Sequence, residues 1–227
     1  MIKILTILIL LFSNISFADE RNFNINIDNI DVKIRTPDGF FDARYVAPFM
    51  YEVFDMVMPK EMTVHAVLTA KKGIGERYMG LATVTDLDKI RLTQKMFSRV
   101  VRDNIRKEQF TIMNSRRSEA DKITRDMNRT LASDYGSDTK LQITETTPLG
   151  VFIDNNKAIG FLSISNVERA SSSFSEEIPM VGSTTMVNIK DRLLYIYIYS
   201  TYKSSMDITW VKGKTKEFVN LLLENNK

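Results

Sequence analysis

The stretch from Arg192 to Asn226 constrains the fold most, because a β-strand pattern passes almost directly into a helical one. Along residues 192–202, side chains alternate between an aliphatic face and a tyrosine face. The aliphatic face carries Leu194, Ile196 and Ile198, and the opposite face carries Tyr195, Tyr197 and Tyr199. We predict that the aliphatic face meets the core, whereas the tyrosine face either lies under a helix or lines a groove.

The second half of this stretch predicts a closing amphipathic helix. Its core-facing positions recur at helical spacing and are Ile208, Val211, Thr215, Phe218 and Leu222. Ser205 or Asp207 can cap the helix by accepting hydrogen bonds from unpaired backbone amides. Trp210 lies in the first turn, where a core anchor is favoured over a ligand platform because large aromatic side chains dominate cores. Such a helix packs on a sheet, so strand and helix together predict a mixed fold.

Earlier segments supply further strands and helices. Residues 23–27 and 30–35 have strand patterns, and an edge strand ends at the Pro-Asp-Gly turn in residues 36–40. Residues 43–58 predict a mostly buried helix, and residues 63–71 with 77–85 predict a β-hairpin. Residues 92–112 and 118–135 predict two more helices, the first with Met96, Phe97, Val100, Val101 and Ile105 on its buried side.

The last part of the chain predicts a four-stranded meander. Strands within 141–167 and 180–202 alternate in hydrophobicity and should pair contiguously and antiparallel. Between them, the serine-rich residues 168–179 predict a mobile loop, a candidate lid. The predicted fold class is therefore α/β (α+β): an antiparallel sheet flanked by helices, an α/β/α sandwich in a single domain, with a helical insertion at about 92–135.

Residues 1–18 have the pattern of a secretory signal peptide. Lys3 precedes an apolar run at 4–12, and the small residues Ser16 and Ala18 precede a cleavage position. The run is shorter than the roughly 20 residues of a spanning helix, so we interpret it as a signal peptide and not as a membrane span. After its removal, we expect residues 19–227 to carry no transmembrane span. The absence of cysteine excludes disulfides and thiol chemistry. These features favour a bacterial periplasm, with full secretion as the alternative.

The order strand, helix, hairpin, long helices, meander and closing helix resembles the PsbP-like α/β/α proteins, which include exported bacterial members of unknown role. The resemblance rests on residues 34–40 (Ile-Arg-Thr-Pro-Asp-Gly-Phe) and on Asp207, Trp210 and Phe218, and these regions cover roughly a third of the mature chain. It implies a sheet flanked by helices and an accessory or binding role rather than catalysis. No functional residue is carried over from the family.

Catalytic signatures are absent from the sequence. One histidine and no cysteine exclude a multi-histidine metal site and a cysteine nucleophile, and we expect neither metal nor cofactor. The carboxylate pairs Asp86 with Asp88 and Glu176 with Glu177 lie in predicted loops, where such pairs are usually solvated. A hydrolase would have to use His65 or a strongly perturbed carboxylate. The sequence thus favours a non-enzymatic binding or accessory protein.

Charge is distributed unevenly along the chain. Between Lys89 and Arg129, twelve basic and five acidic residues give a net charge of +7, against −5 for the rest of residues 19–227. On an α-helix, one sector of about 80° contains Arg91, Lys95, Arg99, Arg102 and Arg106. Lys122, Arg125 and Arg129 repeat the spacing on the second helix. We call these eight residues the cationic stripe and expect Arg99, Arg102 and Arg106, at its centre, to be exposed without core contacts.

Three interpretations of these features remain open. A run of charge is most often a solvated helix face. It can instead dock an anionic partner: lipid head groups, an acidic glycan of the envelope, or an acidic protein. A third interpretation is a small-ligand pocket under the serine-rich loop, floored by Tyr195, Tyr197 and Tyr199. Nucleic acid is not expected outside the cytoplasm, and no sequence feature indicates an oligomeric state.

Overall fold

A computed structural model of the protein describes residues 22–70, 76–107 and 140–227, together with residues 124, 125, 128, 129, 132, 133 and 138. Its centre is a seven-stranded antiparallel sheet. The strands are β3 (Phe40–Asp42), β4 (Met62–Ala70), β5 (Arg77–Val84), β6 (Lys140–Asp154), β7 (Ala158–Ala170), β8 (Ser175–Ile189) and β9 (Arg192–Thr201). Their spatial order is β3-β4-β5-β9-β8-β7-β6. Helices lie on both faces, so the predicted α/β/α sandwich in one domain is confirmed.

The consecutive pairing of β6, β7, β8 and β9 confirms the meander predicted from alternating hydrophobicity. Lys190 and Asp191 join β8 to β9 with φ of 48° and 60°, as a two-residue hairpin turn requires. Ile196 and Ile198 of β9 are fully buried on one face of the sheet, whereas Tyr197 belongs to a separate cluster on the other face. The two faces of β9 therefore enter two different cores.

The first face of the sheet is covered by the closing helix α4 (Ser205–Asn225) and by a hairpin of β1 (Asn22–Ile27) and β2 (Ile30–Arg35). The predicted stripe is confirmed by Val211, Thr215, Phe218 and Leu222, which are fully buried. The β1–β2 hairpin forms its own two-stranded sheet. The strand predicted to end at the Pro-Asp-Gly turn is confirmed as β2, and it is an edge strand because it pairs only with β1. It belongs to this small sheet rather than to the main one, and it packs beside α4.

The start of α4 is fixed by a capping box. The N-cap is Ser204, one residue before the predicted candidate Ser205, and its hydroxyl accepts from the backbone N–H of Met206. Asp207 accepts from the backbone N–H groups of Lys203 and Ser204, at 2.9 Å each. At the other end, the side chain of Asn226 exchanges two hydrogen bonds with the backbone of Lys33 in β2. Both ends of α4 are thus held by side chains.

The second face carries α1 (Ala43–Val46), α2 (Pro48–Val57) and a composite helix, α3. α3 consists of Gln94–Met96, a π-helical segment Phe97–Arg102, and the helical residues 103–107. The helix predicted over 92–112 is confirmed from Gln94 to residue 107, and its last residues lie outside the described part of the chain. Of the helix predicted over 118–135, only residues 124, 125, 128, 129, 132 and 133 are described, and all six are helical. Among the described residues, no helix has the length and apolar character needed to cross a membrane.

The predicted single helix over residues 43–58 is wrong, since the structure has two helices that meet at Ala47. Proline has no N–H to donate and forces the preceding residue out of the helical region, and Ala47 has φ −158° and ψ 67°. The expected deep burial is also wrong. Phe54 is buried, but Tyr45 is 72% exposed and Phe49 is 55% exposed.

Residues 168–179 form a β-hairpin rather than the predicted mobile lid. β7 continues to Ala170, β8 starts at Ser175, and the two strands remain paired up to the tip. Arg169 and Glu176 face each other across the strands in an ion pair of 2.5 Å, and the Arg169 guanidinium covers Phe174. Cross-strand pairs of this kind stabilise a ribbon, which explains why the serine-rich segment is ordered.

β6 is the outermost strand on its side of the sheet, and its pairing with β7 is irregular. Register shifts occur at three places, after Ile143, after Pro148 and after Val151. Gly150, with φ of +99°, supplies the left-handed backbone at the second of them. The carboxamide of Asn128 both donates to and accepts from the backbone of Leu141 at 2.8 Å, and so occupies backbone groups near the start of β6.

Candidate docking surface on α3

The helix α3 is anchored to the sheet at its start. Thr93 is its N-cap, and the backbone N–H of Leu92 donates to the carbonyl of Asp191 at 2.8 Å. The side chain of Asn188 donates to the carbonyl of Leu92 at 2.6 Å. Phe97 is fully buried against the sheet, in a cluster with Ile159, Phe161, Met186 and Leu193. These contacts hold α3 in one position on the second face.

The π-helical segment changes which side chains of α3 face the core. Bonding from residue i to i+5 makes a wider turn, so residues four or five apart share a side better than residues three apart. Phe97, Val101 and Ile105 are separated by four and pack on the cluster, as predicted. Met96 is 41% exposed and Val100 is 56% exposed, so the prediction that both are buried is wrong.

Aspartates hold three arginines of the cationic stripe. Arg91 pairs with Asp191 at 2.9 Å, Arg102 with Asp103 at 3.3 Å, and Arg106 with Asp154 at 2.5 Å. The hydrogen bond that Arg106 donates to Asp154 raises the pKa of Arg106. Arg106 is partly exposed, but the side chain of Arg102 is only 22% exposed, which corrects the prediction that Arg102 is a free surface cation.

Lys95 and Arg99 differ from these arginines. Both are exposed, and within residues 22–70, 76–107 and 140–227 neither forms an ion pair. They are one turn apart, beside the exposed Met96 and Val100. We call Lys95, Met96, Arg99 and Val100 the outer α3 face. It is an exposed part of α3 that combines cationic and apolar side chains.

The second group of stripe residues is described only in part. Arg125 and Arg129 are exposed and helical, and Lys122 lies outside the described residues. The structure therefore describes five residues of the cationic stripe on or next to α3 and two beyond it.

The three tyrosines of β9 pack beneath α1 and α2. Tyr197 is buried, meets Phe54 at a ring-centroid distance of 6.0 Å, and donates to the sulfur of Met62 at 3.5 Å. Tyr199 stacks on Tyr78 at 5.0 Å, and burial raises the pKa of Tyr78. Of the two alternatives left open for this face, packing under a helix is the one observed.

The serine-rich segment does not lie over these tyrosines. Tyr199 pairs with Gly182 of β8. The hairpin tip lies seven residues from Gly182 toward the start of β8, at Ser175. At roughly 3.3 Å per residue, this separation is about 23 Å. The geometry predicted for the small-ligand pocket, with residues 168–179 above a tyrosine floor, is therefore wrong. A pocket at the tyrosines would have to be built from α1 and α2 instead.

His65 lies at a bulge in β4, where the register shifts between Val64 and Ala66. Its Nε2 is 3.0 Å from the hydroxyl of Thr83. Partial burial lowers the pKa of His65, and the charge of Asp88 opposes this effect. The ring is thus predominantly neutral at pH 7 and bonded to a hydroxyl on the neighbouring strand. Thr83 is itself buried, so this pair extends the sheet packing rather than opening to substrate.

The remaining candidates have structural partners. Trp210 stacks on Phe40 at 6.1 Å, and the guanidinium of Arg77 lies 4.3 Å above its indole ring. Arg77 also pairs with Asp207 at 3.3 Å. The pKa of Asp207 is lowered mainly by the hydrogen bond that the backbone N–H of Lys203 donates to it, and the pairing with Arg77 lowers it further. This arrangement agrees with the core-anchor interpretation of Trp210. Among the described residues, no group of three or more His, Asp or Glu side chains could hold a metal ion.

Sequence reasoning missed Asp154 and Asp191 as partners of the stripe. Asp154 is the last residue of β6, and Asp191 lies in the turn between β8 and β9 with φ of 60°. Each meets an arginine far away in the sequence, by 48 residues for Arg106 and 100 for Arg91. An excess of aspartates at strand ends is a signal for such contacts, but the pairing itself depends on tertiary structure.

Comparisons with known proteins show little relationship. No family model matches the chain, and no curated protein matches it. Among solved structures, the chain is similar to the Saccharomyces cerevisiae Ran-binding protein Mog1p, with 11% identity and a TM-score of 0.33 over 90% of this chain and 92% of that one. A mutant of Mog1 gives 11% identity and a TM-score of 0.32 over the same shares of the two chains. Similarity at this level carries no information on function.

Proposed function

We propose that this is an exported, non-enzymatic binding or accessory protein that docks an anionic envelope partner through the outer α3 face. The observation that carries the proposal is the exposure of Lys95 and Arg99, one turn apart and without an acidic partner in the described part of the chain. A solvated helix stabilised for its own sake would place acids between such cations, because like charges at this spacing are unfavourable.

The paired arginines support the same interpretation. Arg91, Arg102 and Arg106 fasten α3 to the sheet ends through Asp191 and Asp154 or stiffen it locally through Asp103. Lys95 and Arg99 make no such connection to any residue that the structure describes, so their charge is available to a partner. A preformed helix with outward charge steers an anionic partner and accelerates the encounter.

The experiment compares two double variants with the same change in net charge. Lys95→Gln/Arg99→Gln removes the outer cations, and Lys212→Gln/Lys216→Gln removes two exposed lysines of α4, on the opposite face of the sheet. The probes are poly-glutamate and vesicles that contain phosphatidylglycerol, each at about 50 mM and about 500 mM salt. We expect the wild-type protein to bind more weakly at the higher salt concentration. We also expect the affinity of the α3 variant to be at least about tenfold lower than that of the wild type, with little change in the α4 control.

Two results would refute the proposal. The first is absence of salt-sensitive binding to either probe by the wild-type protein. The second is equal loss in both variants, since net charge and not the outer α3 face would then determine binding. Circular dichroism of each variant checks that the fold is retained.

Export and the PsbP-like relationship are part of the proposal. The segment 1–18 supports export, and the order of elements supports the relationship. Amino-terminal sequencing of the protein recovered from a periplasmic fraction should begin at Asp19. Recovery in the cytoplasm with an intact Met1 would contradict export without affecting the docking surface.

A further inference from the structure

We infer that the anionic partner of the outer α3 face is a phospholipid surface, and that the protein binds it peripherally with α3 flat against the head groups. This inference rests on the proposed function and names its partner. It depends on a second property of the same face, the exposed apolar side chains between the cations.

Apolar and cationic side chains run side by side along α3. Met96 and Val100 are four residues apart, as are Lys95 and Arg99, so two parallel rows point away from the sheet. Val100 and Arg99 lie in the π-helical segment, where Val100 is exposed while Phe97 and Val101 pack on the buried cluster. Lys95 and Met96 precede this segment, in the first helical turn of α3.

The mixed face fits a membrane interface better than a purely ionic partner. A polyanion needs only the cations, and Met96 and Val100 would gain nothing from it. At a lipid surface, the apolar side chains enter the boundary between head groups and acyl chains while lysine and arginine extend to the phosphates. Each cation close to an anionic membrane adds to the affinity, and burial of apolar surface adds a term that does not depend on salt.

The setting of α3 allows this orientation. Residues 94–107 extend about 21 Å at 1.5 Å per residue, and Phe97 holds their inner side on the sheet. Three aspartates near α3 are paired in the described part of the chain: Asp103 with Arg102, Asp154 with Arg106, and Asp191 with Arg91. These three acids thus contribute little net negative charge beside the outer cations Lys95 and Arg99.

Matched variants test the two rows separately. Met96→Ser shortens the apolar row, and Met206→Ser makes the same change at the start of α4, where Met206 is 77% exposed. Lys95→Gln removes one outer cation, and Lys212→Gln is its control on α4. All four side chains are exposed, so each variant should fold, and circular dichroism confirms that it does.

The measurement is co-sedimentation of the full chain with vesicles. One set contains equal parts of phosphatidylcholine and phosphatidylglycerol, and the other contains phosphatidylcholine alone. We expect binding to the anionic vesicles that weakens about fivefold in Lys95→Gln and severalfold in Met96→Ser, with both α4 controls unchanged. The difference in vesicle affinity between the wild-type protein and Met96→Ser should remain at high salt, because salt does not screen the burial of apolar surface.

Poly-glutamate in solution separates this inference from the proposed function. If wild-type protein binds poly-glutamate as tightly as anionic vesicles, and Met96→Ser binds both normally, the partner is an acidic polymer or protein. The docking proposal then stands and the lipid inference is overturned. If Lys95→Gln changes neither interaction, both are overturned.

Discussion

The two long helical elements that cover the sheet, α4 and α3, are built for different tasks. α4 is a regular helix of 21 residues with a capping box at its start and a side-chain clasp at its end, and its inner stripe is fully buried. α3 has one capping hydroxyl and a π-helical middle, and it leaves Met96 and Val100 in solvent. The contrast teaches that a helix can be anchored firmly while its backbone is adjusted to present a chosen outer face.

The largest effects should come from the anchors. Phe218→Ala in α4 and Phe97→Ala in α3 each remove a fully buried ring, and each should lower the free energy of unfolding by about 3–5 kcal/mol. Val100→Ala, on the outer α3 face, should change it by less than about 0.5 kcal/mol. Urea denaturation measures all three. A small effect of Phe97→Ala would break the comparison, since α3 would then be a loosely attached element.

Substitution of the cap residues should lower the stability of α4 and α3 by more unequal amounts than substitution of the buried anchors does. Asp207→Ala removes the acceptor for two backbone N–H groups and the partner of Arg77, and should lower stability by about 1–2 kcal/mol. Thr93→Ala removes one long hydrogen bond of 3.4 Å, with an expected effect of about 0.5 kcal/mol. Thr209→Ala, exposed in the first turns of α4, is the control. Equal losses for Asp207→Ala and Thr93→Ala would show that the two helices start with similar strength.

Acid should destabilise the protein in two steps. Burial lowers the pKa of His65 below 6.5, so the unfolded chain binds its proton first and stability falls as the pH drops below about 6.5. The pKa of Asp207 is lowered below 3.8 by backbone and Arg77 hydrogen bonds, so its contribution is present above that pH and lost as the pH falls through the folded value. Urea midpoints across this range measure both steps.

The variant His65→Gln identifies the first step. It should flatten the loss between about pH 6.5 and pH 5 while leaving the step at lower pH unchanged. An unchanged profile would mean that another group carries the first step. Any measured turnover that disappears in this variant with the fold intact would favour an enzyme over a binding protein.

The smallest effects should come from the ion pairs of α3. Arg106→Gln and Asp154→Asn should each lower the unfolding midpoint slightly at low salt, and the difference should vanish at high salt because the pair is accessible to solvent. The double variant should differ little from Arg106→Gln alone, since Asp154→Asn then removes no further contact with residue 106, whereas Arg106→Gln also removes the 3.9 Å pair with Asp103. Arg99→Gln, without a partner in the described residues, should change nothing measurable. A large, salt-independent loss for Arg99→Gln would show that the outer α3 face is structural.

Apolar patterns with the strand period of two residues or the helical period of about 3.6 residues predicted most of the fold. The β9 alternation and the stripe from Val211 to Leu222 required no tertiary information, because every apolar position belonged to one regular element. The same reasoning failed at Val100, where the backbone leaves the α-helical repeat, and at residues 43–58, where Pro48 divides the helix. The hairpin at 168–179 was missed because serine-rich composition resembles that of a loop.

The candidate site was predictable only in part. Exposed cations at Lys95 and Arg99 follow from helical periodicity, and the structure retains them. The neutralisation of Arg91 and Arg106 could not be foreseen, since Asp191 and Asp154 reach them only after β9, β8, β7 and β6 have assembled. Val100, one of the two apolar residues of the outer face, lies in the π-helical segment, which α-helical periodicity does not predict.

The irregular outer strand β6 has a consequence for the protein in concentrated solution. A long, flat sheet margin invites a second chain to add itself as the next strand, and repeated addition leads to fibres. Three breaks in register, a proline that cannot donate, and the amide of Asn128 on the backbone of Leu141 all interrupt that template. This edge of the sheet is therefore a poor template for aggregation, although its edge strand β6 is 15 residues long.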